Sequence, residues 1–393
     1  MQINSCKLLA SFEHLAVGMA MRSTLKNGLE AALMLAVVMG FGRFAYTALY
    51  PYMVNEQILG IEQGSWAAAA NYLGYLIGAI GAIRIKLNQA HQWALVALLG
   101  TVITLGALYL TDSGVLIIGI RLLAGVFSAV GIVATSIWLL GQRQKLNAAP
   151  IMYAGVGLGI AASAQLVSMM SERWLSPQIW LLLALVALAA TALVIHGLFF
   201  EQNQDSPVSA SVAATSSRLD AQALPVLYGL AGFGYIITAT YLPLLITLAV
   251  ANADIEFVWT AFGLSVIPSC FIWYQICQRL GTRMSLVLNM LMQAIGVILP
   301  VVAPYTMGYM LSALLVGGGF MGTVTLVMPI AKQLTAKTGK NLIAIATVAY
   351  SIGQILGPIV SAQMYRWTQG FEMSLVLAMI ALLMGAMIAW QKG

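Results

Sequence analysis

The stretch GFGRFAYTALYP at residues 40–51 returns as GFGYIITATYLP at residues 232–243, each copy carrying a proline eleven positions after its first glycine. The two copies lie 192 residues apart. The same offset aligns LLAG at 122–125 with LLVG at 314–317, and a slightly larger one aligns YAGVG at 153–157 with YSIG at 350–353. Three matches in one order along 393 residues favour a duplicated unit over chance.

The composition says what that unit is made of. The chain has 18 Lys and Arg, 12 Asp and Glu, 61% hydrophobic residues and a mean hydropathy of +0.92. An ordinary soluble domain is about a quarter charged. One or two cores cannot hide this apolar surplus, so a soluble globular protein is excluded and a polytopic membrane protein is expected. A crossing helix needs about 20 mainly apolar residues, because its backbone polar groups must pair internally. Twelve segments qualify, at 29–54, 64–83, 93–110, 114–140, 149–170, 178–199, 224–250, 257–276, 284–302, 306–330, 342–365 and 371–390. The fold class expected is all-α, with twelve transmembrane helices in two six-helix bundles. A tail at 1–28 precedes a first bundle at 29–200, a linker at 201–223 and a second bundle at 224–393. The linker is rich in Ser, Ala, Gln and Asp without apolar periodicity. The sixth and twelfth spans are the most uniformly apolar and are assigned to the lipid-facing periphery.

Charge placement sets the orientation. With the N-terminus inside, Lys7, Arg22, Lys26, Arg84, Lys86, Arg143, Lys145, Arg218, Arg279, Arg283, Lys332, Lys337, Lys340 and Lys392 all fall in inside segments, and only Arg173 and Arg366 fall outside. Both termini are therefore expected in the cytoplasm, and the pI of 9.2 reflects topology, with no nucleic-acid partner implied. The three cysteines, Cys6, Cys270 and Cys277, have no paired spacing. No disulfide, metal site or cofactor is expected. The sequence has no HExxH, GxSxG or paired carboxylates in or near a span, so an enzyme is not expected.

The string GFGRFAYTALYPYM at 40–53, with ANYLGYLIGA at 70–79, YAGVGLGIA at 153–161, GFGYIITATYLP at 232–243 and YSIGQILGP at 350–358, resembles the YbfB/YjiJ-type branch of the major facilitator superfamily. Arg121, Gly125 and Ala129 are similar to the superfamily's fourth-helix pattern, Arg-x-x-x-Gly-x-x-x-Ala. Its basic loop pattern is similar to Gln278 to Arg283, with Gln278 in place of Asp, and is reduced to Arg84-Ile85-Lys86 after the second span. The resemblance implies a secondary transporter in the bacterial cytoplasmic membrane, working by alternating access on a small-molecule solute. The expectation is a monomer in the lipid bilayer, with a coupling proton as a further candidate partner.

Ionisable groups at bilayer depth are costly and therefore candidates for function. Arg43 lies near the middle of the first span, and the repeat places Tyr235 at its equivalent. Arg43, Tyr46 and Tyr50 recur at helical spacing, Asn71 and Tyr75 are four apart on the second span, and Tyr235, Tyr241 and Gln354 mark the seventh and eleventh. These eight are the expected substrate-binding residues. The alternative for Arg43 is to cap carbonyls of a helix broken near Gly40 and Gly42. Arg121, about 10 Å below the outer end of its span, and Glu30, at the cytoplasmic edge of the first, are assigned to gating or coupling. The glycine pairs 74/78, 155/159 and 353/357 read as close-packing surfaces. No Asp or Glu sits at mid-depth in any expected span, so an anionic or strongly polar organic solute is favoured. An efflux permease for amphipathic compounds is the alternative, and a non-transporting membrane sensor is the alternative from another class.

Overall fold

The computed structural model describes residues 21–145, 148–199, 220–249, 255–339 and 342–392. The linker therefore lies outside the described residues except for its last four, and the expected tail is described only from Met21, where helix is already formed. In chain order the helices are α1 (Met21–Asn55), α2 (Ile61–Ala82), α3 (Ala90–Tyr109), α4 (Gly114–Gln142), α5 (Ala149–Met170), α6 (Ser176–Phe199) and α7 (Ala223–Ala249). The run Ile255–Val302 is helical throughout except at Gly281, whose φ of 76° breaks it. Its arms, 255–280 and 282–302, are α8 and α9. α10 (Thr306–Thr338), α11 (Leu342–Thr368) and α12 (Glu372–Lys392) complete the chain.

Where a loop is expected between 276 and 284, one left-handed glycine makes the turn, because a residue without Cβ adopts positive φ at no steric cost. α10 outruns its expected end at 330, carrying Thr335 and Lys337 to a left-handed cap at Gly339 (φ 70°). Among the described residues ten helices, with Ile255–Val302 counted once, are long and apolar enough to cross a membrane. The 22-residue α2 is not among them; it carries Glu62, Gln63 and Asn71.

Arg84, Lys86, Arg143, Lys145, Arg279 and Arg283 gather at one end of the structure, the basic end. Glu56, Glu62, Asp112, Glu172 and Glu372 mark the opposite, acidic end. There Glu56 accepts bonds from the Ser176 amide at 3.0 and 3.1 Å and from its hydroxyl, neutralising the start of α6.

α2 packs on α4 and α11, α5 on α1 and α8, and α7 on α10, α11, α12 and α1. Glycine permits these close crossings. A Cβ on Gly125 of α4 would strike the Asn71 carbonyl of α2, and one on Gly317 of α10 would strike the Phe262 carbonyl of α8. The repeat-related glycines thus pack against nearly repeat-related positions of the neighbouring helix. α6 and α12 turn Leu185, Leu188, Leu193, Met384 and Met387 outward.

Candidate functional site

The middle of α1 departs from the α-helix. Ala36–Phe44 forms a π-helix, and all nine of its residues are buried. A π-turn shifts the hydrogen-bond register by one residue and leaves carbonyls without their usual donors, a geometry frequent at functional sites. Arg121 of α4 answers that demand. Its Nη1 donates to the Gly42 carbonyl and its Nη2 to the Arg43 carbonyl, both at 2.9 Å, and its Cζ lies 4.5 Å from the Tyr46 ring centre. It turns into the protein, 2% exposed, and does not reach toward the membrane surface. The carbonyl-capping role considered for Arg43 therefore belongs to Arg121.

Arg43, released from capping, is 3% exposed and lies 4.3 Å from the Tyr75 ring centre, 4.9 Å from Tyr72 and 5.4 Å from Phe44. Its Nε and Nη2 are buried and have no hydrogen-bond partner. Three further buried phenols, Tyr235, Tyr350 and Tyr228, stand on α7 and α11. Those phenols belong to an aromatic chain crossing from one half to the other. Phe44 meets Phe320 at 5.8 Å, Phe320 stacks on Tyr235 at 5.1 Å, Tyr235 on Tyr350 at 5.8 Å, and Tyr350 on Tyr228 at 4.2 Å. Gln354 donates through Nε2 to the Tyr235 hydroxyl. Arg43, Tyr75, Tyr235 and Gln354 are thus brought to one central region, joined by Tyr72, Tyr350, Phe44 and Phe320.

Other expected site residues stand elsewhere. Asn71 donates to the Arg121 carbonyl at 2.9 Å and ties α2 to α4. Tyr46 and Tyr50 stack at 5.4 Å nearer the acidic end, donating to the Gly64 carbonyl at 2.9 Å and the Ile61 carbonyl at 2.7 Å. Tyr241 stands 6.3 Å from Tyr50 and donates to Ser65 Oγ at 2.7 Å. Glu30 is thirteen residues before Arg43, about 20 Å at helical rise, with its carboxylate against Gly197 of α6.

These tyrosines belong to a seam between the halves. Thr47 donates to the Ala239 carbonyl at 3.0 Å, across a separation of 192 residues, so a position on α1 touches its own repeat equivalent on α7. Tyr72 and Thr240 share a hydrogen bond of 2.9 Å, Gln165 donates to Thr260 at 2.7 Å, and Arg366 pairs with Glu62 at the acidic rim. Toward the basic end, a cavity of about 320 Å³ opens between α2, α4 and α11, lined by Leu76, Ile80, Val133, Ile137 and Ile343 among others.

If the seam holds the acidic end shut, Tyr72→Phe with Tyr241→Phe removes the two hydroxyl bonds that cross it, Tyr72 with Thr240 and Tyr241 with Ser65, each worth about 1 kcal/mol. Alkylation of a cysteine introduced at buried Met53, with the native cysteines replaced by serine, is then expected to quicken by roughly tenfold or more. An unchanged rate would mean that the seam does not close that end.

Two features escape sequence reading. The π-helix has an ordinary helical composition, and the side chain that meets its Gly42 and Arg43 carbonyls, Arg121, lies 78 residues from Arg43. The buried knot of Asn289, Gln293 and Thr323, in which Thr323 donates to Asn289 Oδ1 at 2.6 Å, ties α9 to α10 and is visible in sequence only as scattered polar residues.

The described residues form an all-helical, polytopic membrane fold with two buried arginines and a hydrogen-bonded seam. The chain belongs to the family described as uncharacterised MFS-type transporter YbfB, whose family model matches residues 35–390. A comparison with curated proteins finds no match. Among solved structures the chain is similar to a crystal structure of the nucleoside transporter NupG, at 14% identity and a TM-score of 0.64, over 92% of this chain and 97% of that one. That likeness concerns the fold.

Proposed function

We propose that the protein moves a small organic anion across the cytoplasmic membrane by alternating access, with Arg43 as its binding cation. The observation that carries this reading is a buried guanidinium with two unpartnered donors, beside the Phe44 ring that meets Phe320 of the other half. A charge at that depth costs several kcal/mol and is retained where it serves a function. The spans of the described residues hold no acid at mid-depth to pair with it. The basic end faces the cytoplasm by the positive-inside rule. With Arg43 buried in this conformation, access to it requires the two six-helix halves, 29–200 and 224–393, to rock about the contact of Thr47 with Ala239. Arg121 holds the π-helix in place, and Glu30, at the cytoplasmic edge, is the candidate coupling group.

A second reading, efflux of amphipathic compounds, draws on the apolar cavity between α2, α4 and α11. Proteoliposome uptake of labelled organic anions and lipophilic cations separates the two. Anion uptake that falls at least tenfold in Arg43→Gln supports the first, since each 1.4 kcal/mol of lost binding is tenfold. Movement of lipophilic cations, unchanged in that variant, supports the second.

A further inference from the structure

Arg43 says more about its ligand than the sign of its charge. A guanidinium has a side-on edge, where the Nε–H and the adjacent Nη–H run parallel and match two oxygens of one anion. The buried atoms without partners are Nε and Nη2, the pair that makes up that edge. Cζ meanwhile lies over the Tyr75 and Tyr72 rings at 4.3 and 4.9 Å. With rings against the group, oxygens are best received in the guanidinium plane. A carboxylate offers two coplanar oxygens, whereas a phosphonate or sulfonate adds a third that projects out of the plane. The Phe44 ring beside Arg43 meets Phe320, which opens a near-parallel aromatic stack, Phe320 on Tyr235 at 5° and Tyr235 on Tyr350 at 15°. A flat ring adds to such a stack through its face, with offset or tilted geometry.

We propose that the solute class is a planar aromatic monocarboxylate, its two oxygens on Arg43 Nε and Nη2 and its ring against the Tyr235 aromatic stack. The inference rests on the transport reading above for its biological sense, but its chemistry is tested by binding alone. Because the donor pair is sealed in this conformation, binding requires the side chains that cover that edge to move aside.

The experiment is equilibrium binding to the full-length protein in nanodiscs, using benzoate, benzamide, cyclohexanecarboxylate and phenylphosphonate as probes. Wild type is expected to bind benzoate at least tenfold more tightly than each of the others. Arg43→Lys, which keeps the charge but cannot present two parallel donors, is expected to weaken benzoate at least tenfold, and Arg43→Gln to abolish its binding. Thermal unfolding of each variant verifies that it is folded. Equal binding of benzamide or phenylphosphonate, benzoate affinity retained in Arg43→Gln, or no benzoate binding by folded wild type would overturn the inference. Benzoate binding without flux in proteoliposomes would sink the transport reading and leave this one standing. Flux of other anions through a protein that ignores benzoate would do the reverse.

Discussion

Replacing Arg43 by methionine is expected to raise the protein's thermal midpoint, and replacing Arg121 by methionine to lower it, though both residues are buried arginines at the same crossing. The difference lies in their partners. Arg121 satisfies the carbonyls of Gly42 and Arg43. In a membrane interior without water, each orphaned carbonyl costs about 1–3 kcal/mol, so Arg121→Met should lose roughly 3 kcal/mol and loosen the π-helix. Arg43 has two buried donors unmet and is compensated mainly by the rings of Tyr72 and Tyr75. Cation–π contacts return about 2 kcal/mol at best for each desolvated pair, against several for burying the charge. An unbranched apolar side chain of similar length should therefore gain about 1–3 kcal/mol, while removing the proposed binding cation. Thermal unfolding of the three proteins in one detergent decides the matter. A fall in both variants would mean that Arg43 is a structural member of the crossing and not a ligand group held at a cost.

The second large effect concerns glycine. In Gly159→Val the new Cβ would overlap the backbone of Ala36, and the same stretch of α5 already touches Gly40 on α1. Backbone cannot yield as a side-chain tip can, so the two helices must separate. Overpacking of this kind costs typically 1–3 kcal/mol and sometimes more, and here it also strains the π-helix that Arg121 holds. The expected result is no monodisperse folded protein on size-exclusion chromatography. Gly119→Ala is the matched control, because nothing lies within 4 Å of its Cβ position on α4. It should gain a few tenths of a kcal/mol from helix propensity. If Gly159→Val matched that control, the crossing of α1 and α5 would have to be looser than described.

How much of this is legible in sequence depends on the range of the interaction. Helix identity is local: an apolar run bounded by charges must satisfy its own backbone, so the expected spans differ from the observed helices mostly at their ends. The glycine crossings are legible for a similar reason, since Gly74 and Gly159 sit in spaced small-residue patterns. What a polar side chain touches is not local. Asn71 reads as a wall of the site because it lies one turn from Tyr75, yet it faces the Arg121 backbone. Tyr46 and Tyr50 share a face with Arg43 by spacing, but their hydroxyls reach α2 near the acidic end. The π-helix shifts the register within α1, so helical spacing counted from Arg43 misjudges direction. The repeat foretold more: it paired Arg43 with Tyr235, and the contact of Thr47 with Ala239 spans that same 192 residues.

The central claim is that transport runs through Arg43, and the most direct measurement is counterflow of labelled benzoate into proteoliposomes preloaded with unlabelled benzoate. The account predicts transient accumulation of label with wild type and none with Arg43→Gln, thermal unfolding verifying that the variant is folded. Equal accumulation by the two proteins, or none by folded wild type, would contradict it.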